Sequence, residues 1–173
     1  LLSALNPQQV DIQQGKHYYT KAMQALLNIQ ALDNSVSLPA YDSTLLMQEM
    51  SLFKDWLIDA KLGLNLSDEE SQGLSTCLSL LEERALAQHQ VTVHRDFHAR
   101  NLMICDDDEL GIIDFQDAVV GPATYDLVSL LRDCYIVWPS ELVHGWCREF
   151  YDLALEKQAT TANPLGSFAN FKE

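Results

Sequence analysis

Basic residues are scarce in this sequence: 11 Lys and Arg stand against 25 Asp and Glu, a net charge of −14. Nucleic acids and anionic membranes recruit clustered cations that displace counterions, so this balance argues against both as partners. It suits solubility and a neutral or cationic small molecule. Glycine is also sparse, with 7 in 173 residues, and none forms a G-x-G-x-x-G or other phosphate-cradling loop. No apolar run reaches the roughly 20 residues of a membrane span, and no basic segment precedes an apolar one as in a secretory signal. Zinc-ribbon and C-x-x-C spacings are missing too. Cys77, Cys105, Cys134 and Cys147 sit among apolar neighbours and read as buried free thiols of a reducing cytoplasm. There is no initiator Met before Leu1-Leu2-Ser3 and no closing signal at Phe171-Lys172-Glu173, so both ends read as cut from a longer sequence.

What is present is enough for one core: 47% of the residues are hydrophobic. The first half has helical periodicity. From Gln14 to Leu32, Tyr18, Ala22, Ala25, Leu26 and Ile29 recur at three-to-four spacing, and Asp33-Asn34-Ser35 breaks the pattern. A second helix is expected after Asp42 or Ser43, either able to cap it, with Leu46, Met50, Phe53, Trp56, Leu57 and Ala60 facing inward and an end near Gly63. A third opens on Ser67-Asp68-Glu69-Glu70, an S-x-x-E capping box, with Leu74, Cys77, Leu78, Leu81 and Leu86 as its core face.

The pattern then changes to short β-branched runs at Val91–Val93, Asn101–Cys105 and Gly111–Ile113. The acidic run Asp106-Asp107-Asp108-Glu109 joins the last two as a solvated hairpin turn rather than a metal site. Helices are predicted after Pro122 (Ala123 to Asp133) and after Pro139-Ser140 (to about Leu155), followed by a small, polar loop from Ala159 to Ser167. The whole is an α+β chain, mainly helical, with a small strand-and-loop insert.

That insert carries the chemistry. His94-Arg95-Asp96-Phe97-His98-Ala99-Arg100-Asn101 precedes Ile113-Asp114-Phe115-Gln116-Asp117. An Asp with an Asn five residues later, between short strands, suits a phosphoryl-transfer loop, and a following strand can bring a second carboxylate to the same metal. Magnesium takes hard oxygen ligands and keeps waters, so one carboxylate, one amide oxygen and phosphate oxygens suffice.

These residues resemble the aminoglycoside phosphotransferase and choline kinase superfamily. His94-x-Asp96-x-His98-x-x-Asn101 matches its H-x-D-x-H-x-x-N loop, Ile113-Asp114-Phe115-Gln116-Asp117 its I-D-F-x-D segment, and Pro122-Ala123-Thr124-Tyr125-Asp126-Leu127 its P-x-x-Y-D-L helix start. The stretch from His94 to Met103, with Ile113–Val119, Gly121-Pro122 and Tyr125–Asp133, is most similar to the bacterial anomeric amino-sugar kinases. Those act on N-acetylmuramate and N-acetylglucosamine at the C1 hydroxyl in cell-wall recycling. Arg95 stands where aminoglycoside kinases usually carry Gly.

The resemblance implies the C-terminal lobe of a kinase-like fold, spanning residues 1–173, with ATP and Mg2+ as cofactors, a small-molecule acceptor and a cytoplasmic location. It implies Asp96 as catalytic base and Asn101 with Asp114 as magnesium ligands. His94 is expected to be a structural hydrogen-bonder that pins the metal loop. His98 is left between a phosphate contact and a loop brace, and Asp117 between orienting the loop and facing substrate. Asp126, at a helix start, is expected to cap it as structural support. The acceptor-binding residues are not identified. The Gly-rich loop and strand lysine that would grip ATP are not among these residues and are expected in an N-terminal lobe preceding Leu1. Two other readings remain open: an aminoglycoside or choline-type kinase, and a non-catalytic kinase-like binding module.

Overall fold

The computed structural model describes residues 1, 5, 11–32, 37–157 and 165–172. The expected break at Asp33-Asn34-Ser35 lies outside the described residues, as does most of the tail from Ala159 to Ser167.

Helix α1 (Ile12–Gln30) begins where the Asp11 carboxylate accepts the Gln13 N–H. Its buried stripe is Gly15, Tyr19, Ala22, Met23, Leu26 and Leu27. The face is therefore turned from the one expected: Tyr18, Ala25 and Ile29 lie at its flanks, half-buried. The rotation follows from the aromatic layer beneath it, where Tyr19 stacks on Trp146 at 4.6 Å and meets Trp138 edge-on at 5.3 Å. Gly15 admits that layer. A Cβ there would lie 2.3 Å from the Trp138 ring.

Helix α2 (Ser43–Leu52) is capped by Asp42, and helix α3 (Asp68–Leu86) by the Ser67/Glu70 capping box. Between them α2 continues as a π-helix over Phe53–Lys61, and the chain turns at Gly63 with φ +62°. This arm corrects the expected core. Phe53 and Trp56 are exposed, Trp56 at 69%, and α3 buries no residue, leaving Leu80, Leu81 and Leu86 in solvent. Two causes combine. The i→i+5 pairing of a π-helix rotates the register, so that Ile58 faces inward in place of Leu57. Beyond that, α3 packs against α2 and one edge strand, with no described element over its outer face.

Strand β1 (Gln90–Val93) pairs antiparallel with β4 (Val119–Pro122), and β2 (Leu102–Ile104) with β3 (Leu110–Ile112). β4 is an element the sequence reading passed over. Its outer edge is covered by Pro39–Tyr41, through Val120 N–H to Pro39 O and Tyr41 N–H to Val120 O, both 2.8 Å. The acidic turn after β2 is solvated as expected, but Asp108 is also tied to α1, accepting from His17 at 2.8 Å and Lys21 at 2.6 Å.

Helix α4 (Tyr125–Leu131) is shorter than the predicted span, while α5 (Ser140–Lys157) follows Pro139 as read; a short α6 (Phe168–Phe171) packs on α5. One core joins α1, α4 and α5 with Phe97, Ala99 and Leu102; a second, under β1 and β4, holds Tyr41, Leu46, Val93 and Val119. The cysteines correct another expectation. Cys77, Cys105 and Cys134 are exposed free thiols and Cys147 is half-buried, because short loops and the open α3 face leave their apolar neighbours uncovered.

Candidate active site

The loop between β1 and β2 holds Asp96 and Asn101, and the segment between β3 and β4 holds Asp114 and Asp117. Because β1 pairs with β4 and β2 with β3, the two segments emerge side by side. Ile113 N–H to Asn101 O, at 3.1 Å, extends the β2–β3 ladder to the residue before Asp114.

Asp96, Asn101 and Asp114 form one hydrogen-bonded unit. Asn101 Nδ2 donates to the Asp96 carbonyl at 3.0 Å and approaches Asp114 Oδ2 at 3.4 Å. His98 N–H also donates to the Asp96 carbonyl, and Asn101 N–H to the His98 carbonyl, both at 3.0 Å, so the loop closes on itself. Asp114 has φ 72° and Arg95 φ 75°, the left-handed region that non-glycine residues seldom adopt. Such backbone persists where surroundings over-determine it, and here it aims the exposed Asp114 carboxylate toward Asn101. Gln116 Nε2 donates to the other Asp114 oxygen at 2.8 Å.

Two buried carboxylates brace the loop from below. Asp126, 1% exposed, accepts His94 N–H at 2.6 Å and Arg95 N–H at 3.0 Å. This corrects the expected helix cap: α4 has no side-chain cap hydrogen bond, and the buried Asp126 carboxylate turns to the N–H groups of the loop instead. Burial pushes its pKa up to about 6, against the pull of those two donors. Asp133, just past α4, accepts Ala99 N–H at 2.9 Å and Tyr135 N–H at 2.6 Å. Sequence reasoning missed Asp133. The available signal was an acidic side chain at a helix C-terminus, where the dipole disfavours it.

His94 is buried against Phe97 at 5.9 Å between ring centroids. Burial holds its pKa below the usual range, with the Ile113 backbone pulling the other way. The imidazole thus lies close to Ile113, the residue before Asp114. Neither ring nitrogen has a hydrogen-bond partner of good geometry among the described residues. His98 packs edge-on to Tyr135 at 5.4 Å, and Arg100 lies over the same ring at 5.0 Å. Asp117 is exposed, and its carbonyl accepts from Arg95 Nη1 at 3.5 Å.

The donor set fits magnesium. The Asn101 carboxamide and Asp114 carboxylate offer hard oxygens and no thiolate or imidazole. Among the described residues no three His, Cys, Asp or Glu side chains cluster to hold a metal alone. A pair that needs phosphate and water to complete it is what magnesium accepts.

No described helix is long and apolar enough to cross a membrane. The family model described as "Phosphotransferase enzyme family" (APH) matches residues 2–158. A Pseudomonas putida protein named N-acetylmuramate/N-acetylglucosamine kinase is 40% identical over 136 residues, covering 79% of this chain and 40% of that protein. One of the same name from Pseudomonas aeruginosa is 37% identical over 172 residues, covering 98% of this chain and 48% of that protein. A third, from Neisseria meningitidis serogroup B, is 41% identical over 123 residues, covering 71% and 36%. The chain thus spans less than half the length of each of these relatives. In fold it is similar to the crystal structure of an aminoglycoside-3'-phosphotransferase of type VIII, with TM-score 0.55 at 15% identity over 89% of this chain and 57% of that one. With its three motifs joined in one strand-and-loop unit on a kinase-like α+β lobe, the chain belongs to the APH phosphotransferase enzyme family.

Proposed function

We propose that this chain is the catalytic-loop half of a cytoplasmic, ATP-dependent sugar kinase that phosphorylates the C1 hydroxyl of N-acetylmuramate or N-acetylglucosamine. The observation that carries the reading is the single hydrogen-bonded unit of Asp96, Asn101 and Asp114. The names of the three relatives support the acceptor.

In this reading the Asp96 carboxylate orients the sugar hydroxyl and accepts its proton as the hydroxyl oxygen bonds to the γ-phosphorus. The bond from that phosphorus to the bridging oxygen breaks, and ADP leaves. Asn101 and Asp114 would hold magnesium, which when bound neutralises charge on the phosphates. Asp126 and Asp133 keep the loop in place by binding three of its N–H groups. His94 would support the loop by packing against Phe97, and His98 would brace it against Tyr135. Asp117, exposed beside Arg95, is a candidate to face the acceptor. In this reading the elements that grip ATP would lie in an N-terminal lobe outside these residues.

A kcat/KM panel across N-acetylmuramate, N-acetylglucosamine, kanamycin and choline, on the protein carrying both halves, tests the proposal. The N-acetylated sugars are expected to lead. Higher efficiency with kanamycin or choline would move the acceptor to the aminoglycoside or choline class.

A further inference from the structure

The second residue of the H-R-D triplet has no role in the chemistry above, yet its side chain is held by three partners. Arg95 leaves the loop in a left-handed backbone conformation, φ 75°, and its side chain is a quarter exposed. Its guanidinium forms an ion pair with Glu49 of α2, lies 5.7 Å from the Tyr41 ring centroid, and reaches the Asp117 carbonyl at 3.5 Å. Glu49 is also served from other directions: the Tyr41 hydroxyl donates to its Oε2, and the Tyr125 hydroxyl approaches the same atom at 3.4 Å. The two tyrosines meet edge-on at 5.1 Å. Five segments therefore converge on one guanidinium–carboxylate pair: the β4-edge strap, α2, the catalytic loop, the metal segment and the start of α4.

We propose that Arg95 is a positioning residue for phosphoryl transfer, clamped by Glu49 so that it fixes Asp96 and the Asp114–Asp117 segment relative to each other and to helix α2. The geometry supports this over surface decoration. Arg95 immediately precedes the proposed base, and its side chain contacts the backbone of the segment that carries the proposed metal ligand. Its planar fork serves Glu49 and the Asp117 carbonyl at once while its face covers Tyr41, a combination that the point charge of lysine cannot reproduce. Small misplacements of a base and a metal ligand are costly in a reaction that depends on alignment.

This inference rests on the kinase reading. It is tested in the protein carrying both halves by comparing wild type with Arg95→Ala, Arg95→Lys, Glu49→Gln and the Arg95→Ala/Glu49→Gln double variant. Acceptor-dependent ADP release, magnesium-ATP affinity and melting temperature are measured for each. Arg95→Ala is expected to lower kcat by about tenfold or more, a change of about 1.4 kcal/mol, with nucleotide affinity within about twofold of wild type. Lysine should recover part of the loss. The double variant should lose little beyond Arg95→Ala, because both changes break one clamp. Arg95→Ala and Glu49→Gln variants with kcat within about twofold of wild type would overturn the proposal. So would a fully additive double variant, or a loss of kcat that tracks loss of folded protein in every variant. Should Arg95→Ala not fold, Glu49→Gln decides alone by the same twofold criterion. Wild-type inactivity toward amino sugars but turnover of another acceptor would sink the proposed substrate while leaving the clamp testable on that acceptor. Wild-type inactivity toward every acceptor would sink both.

Discussion

Asp126 Oδ2 accepts the backbone N–H of His94 at 2.6 Å, so a carboxylate from the first turn of α4 holds the entrance of a loop 32 residues earlier in the chain. With Oδ1 on Arg95 N–H at 3.0 Å, each oxygen serves one donor. Asp126→Ala leaves both N–H groups without a partner at a buried site, a loss of about 3 kcal/mol. Stability also carries a pH signature. The folded-state pKa of about 6 lies above the ordinary 3.8, so the folded protein retains a proton that the unfolded chain releases. This group's contribution is therefore fullest below about pH 4 and declines as pH rises to about 6, by about 3 kcal/mol for roughly two pKa units. Urea unfolding of wild type and Asp126→Asn between those pH values checks it, since the difference between the proteins isolates this group. A difference that is flat, or that grows with pH, contradicts the assignment.

Asp96→Asn, in the protein carrying both halves, is expected to abolish sugar phosphorylation while leaving magnesium-ATP binding nearly intact. The carboxylate is assigned to the acceptor, and its amide replacement cannot take the proton. Phosphate transfer and nucleotide titration on the same preparation separate the two effects. A variant retaining more than about a tenth of wild-type kcat would be inconsistent with a transition-state role above ~1.4 kcal/mol.

Gly15→Ala tests the aromatic layer under α1. The added Cβ would sit 2.3 Å from a Trp138 ring that is itself held by Tyr19 and Trp146. Overpacking of about 1–3 kcal/mol is expected to outweigh the roughly 1 kcal/mol that alanine gains over glycine in a helix. Thermal or urea denaturation reads the net sign. A stabilised variant would mean that the Trp138 ring gives way.

The 173-residue chain by itself is expected to fold, through the core shared by α1, α4 and α5, and to fail as a kinase. In the proposed reading Asn101 and Asp114 would supply only one wall of a nucleotide site, so magnesium-ATP affinity is expected to be weaker than about 1 mM, or under ~4.1 kcal/mol. Exposed Phe53, Trp56, Leu80 and Leu81 are expected to promote self-association. Calorimetry, a coupled ADP assay and light scattering address these points in turn. Micromolar nucleotide binding with sugar-dependent ADP release would show that this chain suffices.

The caps of α2 and α3, the longer helices and the spacing within the His94–Asn101 loop are legible in the chain, because these are short-range properties; β4, the π-helix and Asp133 are not. Asp42 and Ser67 cap their helices through N–H groups within three residues, and Asp96 and Asn101 share one loop whose spacing is local. Which apolar faces are covered depends on how the elements pack. The periodicity of α3 is sound as a pattern, yet periodicity cannot say whether another element lies opposite, and no described one does. The π-helix at Phe53–Lys61 likewise redirected a face that regular spacing had assigned inward. The bracing of the loop by Asp126 and Asp133, and the meeting of Glu49 with Arg95, join residues 31 to 46 positions apart. Contacts of that range follow from how strands and helices pack; acidic residues at the two ends of α4 are marked locally, but their partners are not.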